Sequence, residues 1–206
     1  MIEFYTNPMS RGQIARWMLE EVGEPYQQHL LGYGEGMKSP EYLAINPMGK
    51  VPAIVHNGRV VTEAAAICAY LADAFPAAGL APPPTERADY YRWLFFAAGP
   101  VEQAVTARSL GLEAPAEKAP MVGYGSLDAV VETLSGWLQA REWVAGDRFT
   151  AADVYVGSQV DWGLQFGSLP TRPAFEEYAA RLRSRPAYIR AKDIDDALIA
   201  AANRPG

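Results

Sequence analysis

The feature that most constrains the fold is residues 46–70, NPMGKVPAIVHNGRVVTEAAAICAY. Asn46-Pro47-Met48-Gly49 is a turn cluster, because proline fixes φ and glycine enters conformations closed to other residues. Residues 51–55 and 59–62 are short β-branched runs, and the Asn57-Gly58 pair between them is the strongest short-range hairpin signal. Pro52 stands at the entry to the first run, where a missing N–H does least harm to a ladder. Glu63 then falls at the mouth of a helix whose Ile67, Leu71, Ala74 and Phe75 recur at helical spacing. An X-Pro bond adopts cis at a cost of only about 0.5–1 kcal/mol. A cis Val51-Pro52 bond would turn the Val51 backbone outward, as an edge on which an extended peptide can pair. Lys50 and Glu63 flank that edge with opposite charges, which suits a small peptide carrying both a carboxylate and an ammonium. Taken alone, the segment reads first as an ordinary surface hairpin.

The remainder of the chain supplies the context. Residues 2–6 alternate as a strand with Ile2 and Phe4 on one face, and Asn7-Pro8-Met9 ends it. From Ser10 the pattern is helical, with Ile14, Met18 and Val22 on one face, Trp17 beside them and Gly23 as the stop. Residues 26–31 form a weaker strand, 32–40 a glycine-rich loop and 41–45 a short helical turn. The order is β-α-β, then β-β-α ending at Pro76. A crossover helix requires the first two strands to be parallel and the hairpin adds an antiparallel pair, so the expected unit is a mixed four-stranded sheet under helices. Residues 77–85, AAGLAPPPT, read as a stiff linker. Residues 86–206 read as an all-helical domain. Gly99-Pro100 should kink its first helix. Leu127, Val130, Val131, Leu134, Trp137 and Leu138 mark a second helix, and Thr150 to Asp153 is a capping box with Phe149 and Val154 as its staple.

Charge and cysteine usage narrow the function. A net charge of -6 argues against nucleic acid as a partner. No apolar run approaches the roughly 20 residues of a membrane span, and no signal peptide opens the chain, so the expectation is a soluble cytoplasmic protein. The single cysteine, Cys68, excludes an internal disulfide framework and a CxxC pair, and reads as a small buried hydrophobe. No metal-ligand spacing stands out. Ser10 lies between a strand and a helix, where unpaired N–H groups and the helix dipole favour an anion. Ser10-Arg-Gly-Gln13 also matches a capping box, and position alone favours that role. There is no G-x-S-x-G elbow, and His29 and His56 sit in a weak strand and a turn, so Ser10 has no evident base. It remains an adequate hydrogen-bond donor.

These residues, in this order, resemble the cytosolic glutathione S-transferases over almost the whole chain: N-P-x-G-K-V-P at 46–52, acidic Glu63 after the hairpin, the proline linker, and the Thr150 to Asp153 box in a helical second domain. The resemblance implies a thioredoxin-like glutathione-binding domain over residues 1–76, a linker over 77–85, and a helical domain over 86–206 that completes an electrophile pocket. It implies that Pro52 is the family's cis-proline, that Val51 pairs its backbone with the cysteinyl part of glutathione, that Lys50 approaches the glycine carboxylate, and that Glu63 approaches the γ-glutamyl ammonium. The residue after Glu63 is usually serine in the family; here it is Ala64, which keeps the backbone contact and loses the hydroxyl. Pro8-Met9-Ser10 looks like the active-site turn of serine-type members, with the Ser10 hydroxyl donating to the glutathione sulfur. Tyr5, where other members place a catalytic tyrosine, and Asn7 are the alternatives. Met9 and Phe96 are expected to line the electrophile site. The implied activity is a homodimeric detoxification enzyme conjugating glutathione to a small hydrophobic electrophile, with peroxidase or isomerase chemistry as side activities. The alternative is a non-catalytic ligand-binding or interaction protein on the same scaffold.

Overall fold

The computed structural model describes residues 1–203, which divide into two compact units. The first unit joins residues 1–79 to the chain from Ser184 onward, and the second is Leu80–Arg183.

In the first unit, strands β1 (Ile2–Thr6), β2 (Tyr26–Leu30), β3 (Ala53–His56) and β4 (Arg59–Thr62) form one sheet in the order β2-β1-β3-β4. β1 runs parallel to β2 and antiparallel to β3, and β3 and β4 form the expected hairpin. Asn57 and Gly58 close it with φ of 51° and 72°. Two positive φ values in a two-residue loop are what a type I′ turn demands, and Asn-Gly supplies them at least cost. The fold is the thioredoxin-like one, with helices α1 (Gly12–Val22) and α4 (Ala64–Ala74) and two short turns of helix, α2 (Glu35–Lys38) and α3 (Pro40–Leu43). α2 falls inside the stretch read from sequence as loop. α1 ends at Gly23, whose φ of 77° lets its N–H reach back to the Leu19 carbonyl.

Strand alternation sets the two faces of the sheet. Ile2, Phe4 and Thr6 are buried on one side, where Phe4 lies beneath the Arg16 guanidinium of α1. Arg16 itself is 0% exposed. Its Nε donates to Asp195 at 2.8 Å, Nη1 to the Tyr26 hydroxyl at 3.1 Å and Nη2 to Gln28 at 3.0 Å. Asp195 lies on the last helix, α10 (Pro186–Ala202). Arg185 adds a two-pronged pair with Glu21 at 2.7 and 2.8 Å, and Tyr188 packs edge-on against Trp17. The last helix therefore belongs to the first unit, whereas the sequence division placed everything from 86 to 206 in the second. The reason is electrostatic: a guanidinium at the centre of an apolar helix face is tolerable only with a buried carboxylate partner, and that partner lies 179 residues away.

The second unit is helical. α5 (Ala88–Phe96) and α6 (Glu102–Leu110) are one rod interrupted at Ala97–Val101 by a π-helical turn. That turn holds Gly99 and Pro100, which cannot sustain the ordinary α ladder. α7 (Leu127–Leu138), α8 (Ala151–Phe166) and α9 (Pro173–Arg183) complete it. The expected capping box is present: the Thr150 N–H donates to Asp153 Oδ2 at 2.8 Å, while Oδ1 accepts from Val144 N at 2.7 Å and the Tyr178 hydroxyl at 2.8 Å. Burial lifts the Asp153 carboxyl to about 6 against the pull of those donors. Phe149 meets Trp143 edge-on. The unit begins inside the proline-rich stretch, where the Leu80 carbonyl accepts from Ala151 N at 2.8 Å. Among the described residues no helix is long and apolar enough to cross a membrane.

Substituting Asp195→Ala should strand the Arg16 charge in the core and cost about 3–5 kcal/mol in urea unfolding. The double substitution Arg16→Met with Asp195→Leu should recover most of that loss, since it removes both charges together.

Candidate active site

The segments singled out in the sequence leave the same end of the sheet. The register pairs Tyr5 with Ala53 and Ala53 with Thr62. The turn after β1, the Val51-Pro52 approach to β3 and the exit of β4 at Glu63 therefore stand side by side.

The first segment is the turn at residues 7–11. Asn7 holds it from within: its Nδ2 donates to the Leu31 carbonyl at 2.8 Å and its Oδ1 accepts from Met9 N at 2.9 Å. The half-buried Ser10 hydroxyl donates to the Asn7 carbonyl at 2.7 Å and accepts from Gly12 N at 2.9 Å. The capping box expected of Ser10 and Gln13 is not formed. Gln13 Nε2 donates to the Pro8 carbonyl instead, and the helix begins at Gly12. The hydroxyl can turn to another acceptor at small cost, because the Asn7 carbonyl retains the Ser10 N–H at 3.2 Å as a second donor.

Thr6 and Gly12 fix the floor of this turn. A Cβ on Gly12 would lie 2.0 Å from Thr6 Oγ1 and 3.0 Å from Ser10 Oγ. Thr6 Oγ1 is buried without a hydrogen-bond partner, so the helix start is pressed directly onto the strand end. Tyr5 faces the other way. On the opposite side of the sheet it stacks on His29, ring centroids 4.6 Å apart, and tilts against Tyr42 at 5.6 Å. Burial, with the nearby Glu3 carboxylate, pushes its hydroxyl pKa upward. The Met9 side chain is 61% exposed. Phe96, in the second unit, is half-buried with its ring edge-on to Trp93 at 5.1 Å.

The second segment is the loop at 46–52. Asn46 Nδ2 and the Tyr42 hydroxyl both donate to the Lys50 carbonyl, and Gly49 turns with φ of 57°. A Cβ there would meet the Met37 carbonyl at 2.6 Å, so glycine is required twice over. The pinned backbone leaves the Lys50 side chain exposed. Val51-Pro52 is cis, with Pro52 buried and Val51 packed against Met37, Tyr42 and Ala53. The structure adds a residue that the sequence reading missed: Lys38 Nζ donates to the Met48 carbonyl at 2.9 Å, which holds an ammonium against this loop. No local signal marked it, because its partner is a backbone carbonyl ten residues away.

The third segment is Glu63, with φ of 64° and ψ of 117°. A non-glycine residue there costs about 1–3 kcal/mol and persists only where its surroundings enforce it. Its exposed carboxylate makes no capping bond. Ala64 is 8% exposed and opens α4, so its N–H is among the first-turn donors without an intrahelical partner. Cys68 is buried with its thiol pKa raised by desolvation, as unreactive as its sequence context implied. Among the described residues no group of three or more His, Cys, Asp or Glu side chains is placed to hold a metal.

A cis-proline loop beside a strained acidic residue, on a thioredoxin-like sheet joined to a helical unit, defines a class of glutathione-binding folds. Residues 9–74 match the glutathione S-transferase N-terminal domain and residues 93–186 the glutathione S-transferase C-terminal domain. The chain belongs to the glutathione S-transferase family. It is 32% identical to glutathione S-transferase GST-4.5 of Xanthomonas campestris pv. campestris, over 64% of this chain and 68% of that protein. It is 29% identical to the disulfide-bond oxidoreductase YfcG of Escherichia coli, over 91% of this chain and 92% of that one. Its structure superposes with a TM-score of 0.74 on a sphingomonad glutathione S-transferase in complex with glutathione, at 27% identity, covering 94% of this chain and 98% of the other.

Gly12→Ala should drive a methyl into Thr6 Oγ1 and destabilise the protein by about 1–3 kcal/mol. Adding Thr6→Ala should recover most of the loss in thermal unfolding, because it removes the atom that the methyl meets.

Proposed function

We propose that this chain binds glutathione at the shared sheet end and holds it as a thiolate for attack on an electrophile. The observation that carries this reading is that the segments bearing Ser10, Lys50 with cis Val51-Pro52, and the strained Glu63 all leave one end of the sheet. Lys50 and Lys38 suit the glycine carboxylate, and Glu63 suits the γ-glutamyl ammonium. The Val51 backbone suits the cysteinyl amide, beside Pro52, and the Ala64 N–H suits the γ-glutamyl carboxylate without the hydroxyl that serine would add.

Ser10 is the group assigned to the sulfur. A thiol of pKa near 8.5 is only about 3% ionised at pH 7. Lowering that pKa by about two units requires some 2.7 kcal/mol. A hydrogen bond to a charged acceptor supplies roughly 1.5–3 kcal/mol and the start of α1 about 0.3–1 kcal/mol, so no general base is needed. Asn7 is the weaker alternative, since both ends of its amide are already engaged by backbone partners. Tyr5 is weaker still, because it stands on the far side of the sheet from Thr6 and the Ser10 turn. The electrophile is a small hydrophobic molecule, with Met9 and Phe96 as candidate contacts. The protein is a cytoplasmic homodimer in this reading.

A second reading rests on the match to a disulfide-bond oxidoreductase across nine-tenths of both chains. The same thiolate would attack a disulfide sulfur, expel a thiolate and form a mixed disulfide. A second glutathione would then resolve it, giving oxidised glutathione and a reduced product.

Calorimetric titration with glutathione across pH 6–8 tests the site. The wild type should release protons on binding and Ser10→Ala should not. Proton release unchanged in the variant would remove Ser10 from the role, and absence of binding would end the enzyme reading. Turnover of an aryl halide against that of a small disulfide separates the two chemistries. Light scattering at micromolar concentration should give twice the 22.5 kDa chain mass.

A further inference from the structure

The segment after β2 is tied to the site at both of its ends. Leu31 anchors its start, with its N–H on the Thr6 carbonyl at 2.9 Å and its own carbonyl accepting from Asn7. Two residues on, the Tyr33 hydroxyl donates to the Met9 carbonyl at 2.9 Å, although the Tyr33 side chain is 61% exposed. At the far end Lys38 reaches the Met48 carbonyl, and between them Met37 is 3% exposed in the cluster that also holds Tyr42, Ala53 and Val51. Gly34 has φ of 83° and ψ of -116°, a conformation that only glycine takes without strain. That backbone places a large apolar ring in solvent, where burial offers it nothing. Among the described residues its hydroxyl bonds only to the peptide that joins Met9 to Ser10.

We propose that Tyr33 is a positioning residue of the thiol site, holding the Met9–Ser10 peptide plane from outside so that the Ser10 hydroxyl is aimed at the bound sulfur. The inference rests on the glutathione reading above. The Met9 carbonyl and the Ser10 N–H belong to one rigid peptide unit, so a bond to the first orients the second and the Cα that carries the hydroxyl. Asn7 fixes the inner side of the turn through Met9 N, and among the described residues Tyr33 is the one that holds its outer carbonyl. The ammonium and carboxylate ends of glutathione are held by other segments. Loss of Tyr33 should therefore disturb thiol ionisation while leaving overall affinity nearly intact.

The test compares Tyr33→Phe, Gly34→Ala and Ser10→Ala with the wild type. Tyr33→Phe removes only the donor, and Gly34→Ala displaces the ring while keeping its hydroxyl chemically intact. In both, the acid limb of the pH profile of kcat/KM should move up by about 0.3–1 pH unit, equal to a twofold to tenfold loss at low pH. The glutathione dissociation constant should stay within about twofold, and the melting temperature of Tyr33→Phe within about 2 °C. An unmoved limb in Tyr33→Phe overturns the proposal, whether or not the melting temperature falls. A limb that moves in Tyr33→Phe but not in Ser10→Ala also overturns it, because Tyr33 would then act through another group. Failure of every variant to move the limb of an active, glutathione-binding enzyme rejects both the Ser10 assignment and its positioning residue. Absence of glutathione binding by the wild type rejects the underlying reading instead.

Discussion

A single buried guanidinium organises the first unit. Arg16 has no access to water, so every N–H it carries must find an acceptor inside the protein or cost several kcal/mol. It takes them from Asp195, Tyr26 and Gln28, and so locks α1 to β2 and to α10 in one step. Burial lifts the Asp195 carboxyl to about 6, with Arg16 pulling it back down. Such a pair adds little net stability over an apolar core. It does penalise any arrangement in which either partner stands alone. The helix that follows the Ser10 turn is therefore set in position by a contact at its middle, well away from the turn.

The working end of the sheet is built by a different economy. Few of its side chains are large. The close approach of Thr6 to Gly12, the turn at Gly49 against the Met37 carbonyl, and the strained Glu63 backbone all fix the path of the main chain. Backbone N–H and C=O groups in fixed orientation suit a peptide ligand, because its own amides need partners of the opposite kind. Lys50 and Glu63 add exposed charges of opposite sign on the segments that enter β3 and leave β4. The hydroxyl at Ser10 is held between a carbonyl and an amide.

Much of this was legible in order. The Asn57-Gly58 hairpin, the Gly23 stop, the α7 span and the Thr150 to Asp153 box all follow from residues within one turn or one pair of strands. The break at Gly99-Pro100 emerged as a π-helical turn for the reason that makes proline a poor interior residue. What failed to read was non-local or geometrically fine. The Ser10-Gln13 capping pattern was the right composition in the wrong place. The turn closes on Asn7 first and delays the helix to Gly12, which sends Gln13 to Pro8. Lys38 and Tyr33 sat in a stretch whose glycines signalled only a loop. Their targets are carbonyls of distant residues, and a backbone acceptor leaves no mark in the sequence.

The sequence by itself determined the local alphabet: strands where β-branched residues alternate, a primed turn where Asn meets Gly, helix boundaries at Gly and Thr, and the family to which their order belongs. These are short-range effects, set by sterics and hydrogen bonds within a few residues. Only the tertiary structure decided that the last helix joins the first unit, that Tyr5 faces away from the Ser10 turn, and which backbone carbonyl each side chain reaches. Those outcomes depend on burying one charge against another 179 residues away and on which face of a strand points to which helix. No local pattern carries that information, because its energy exists only once the chain has closed.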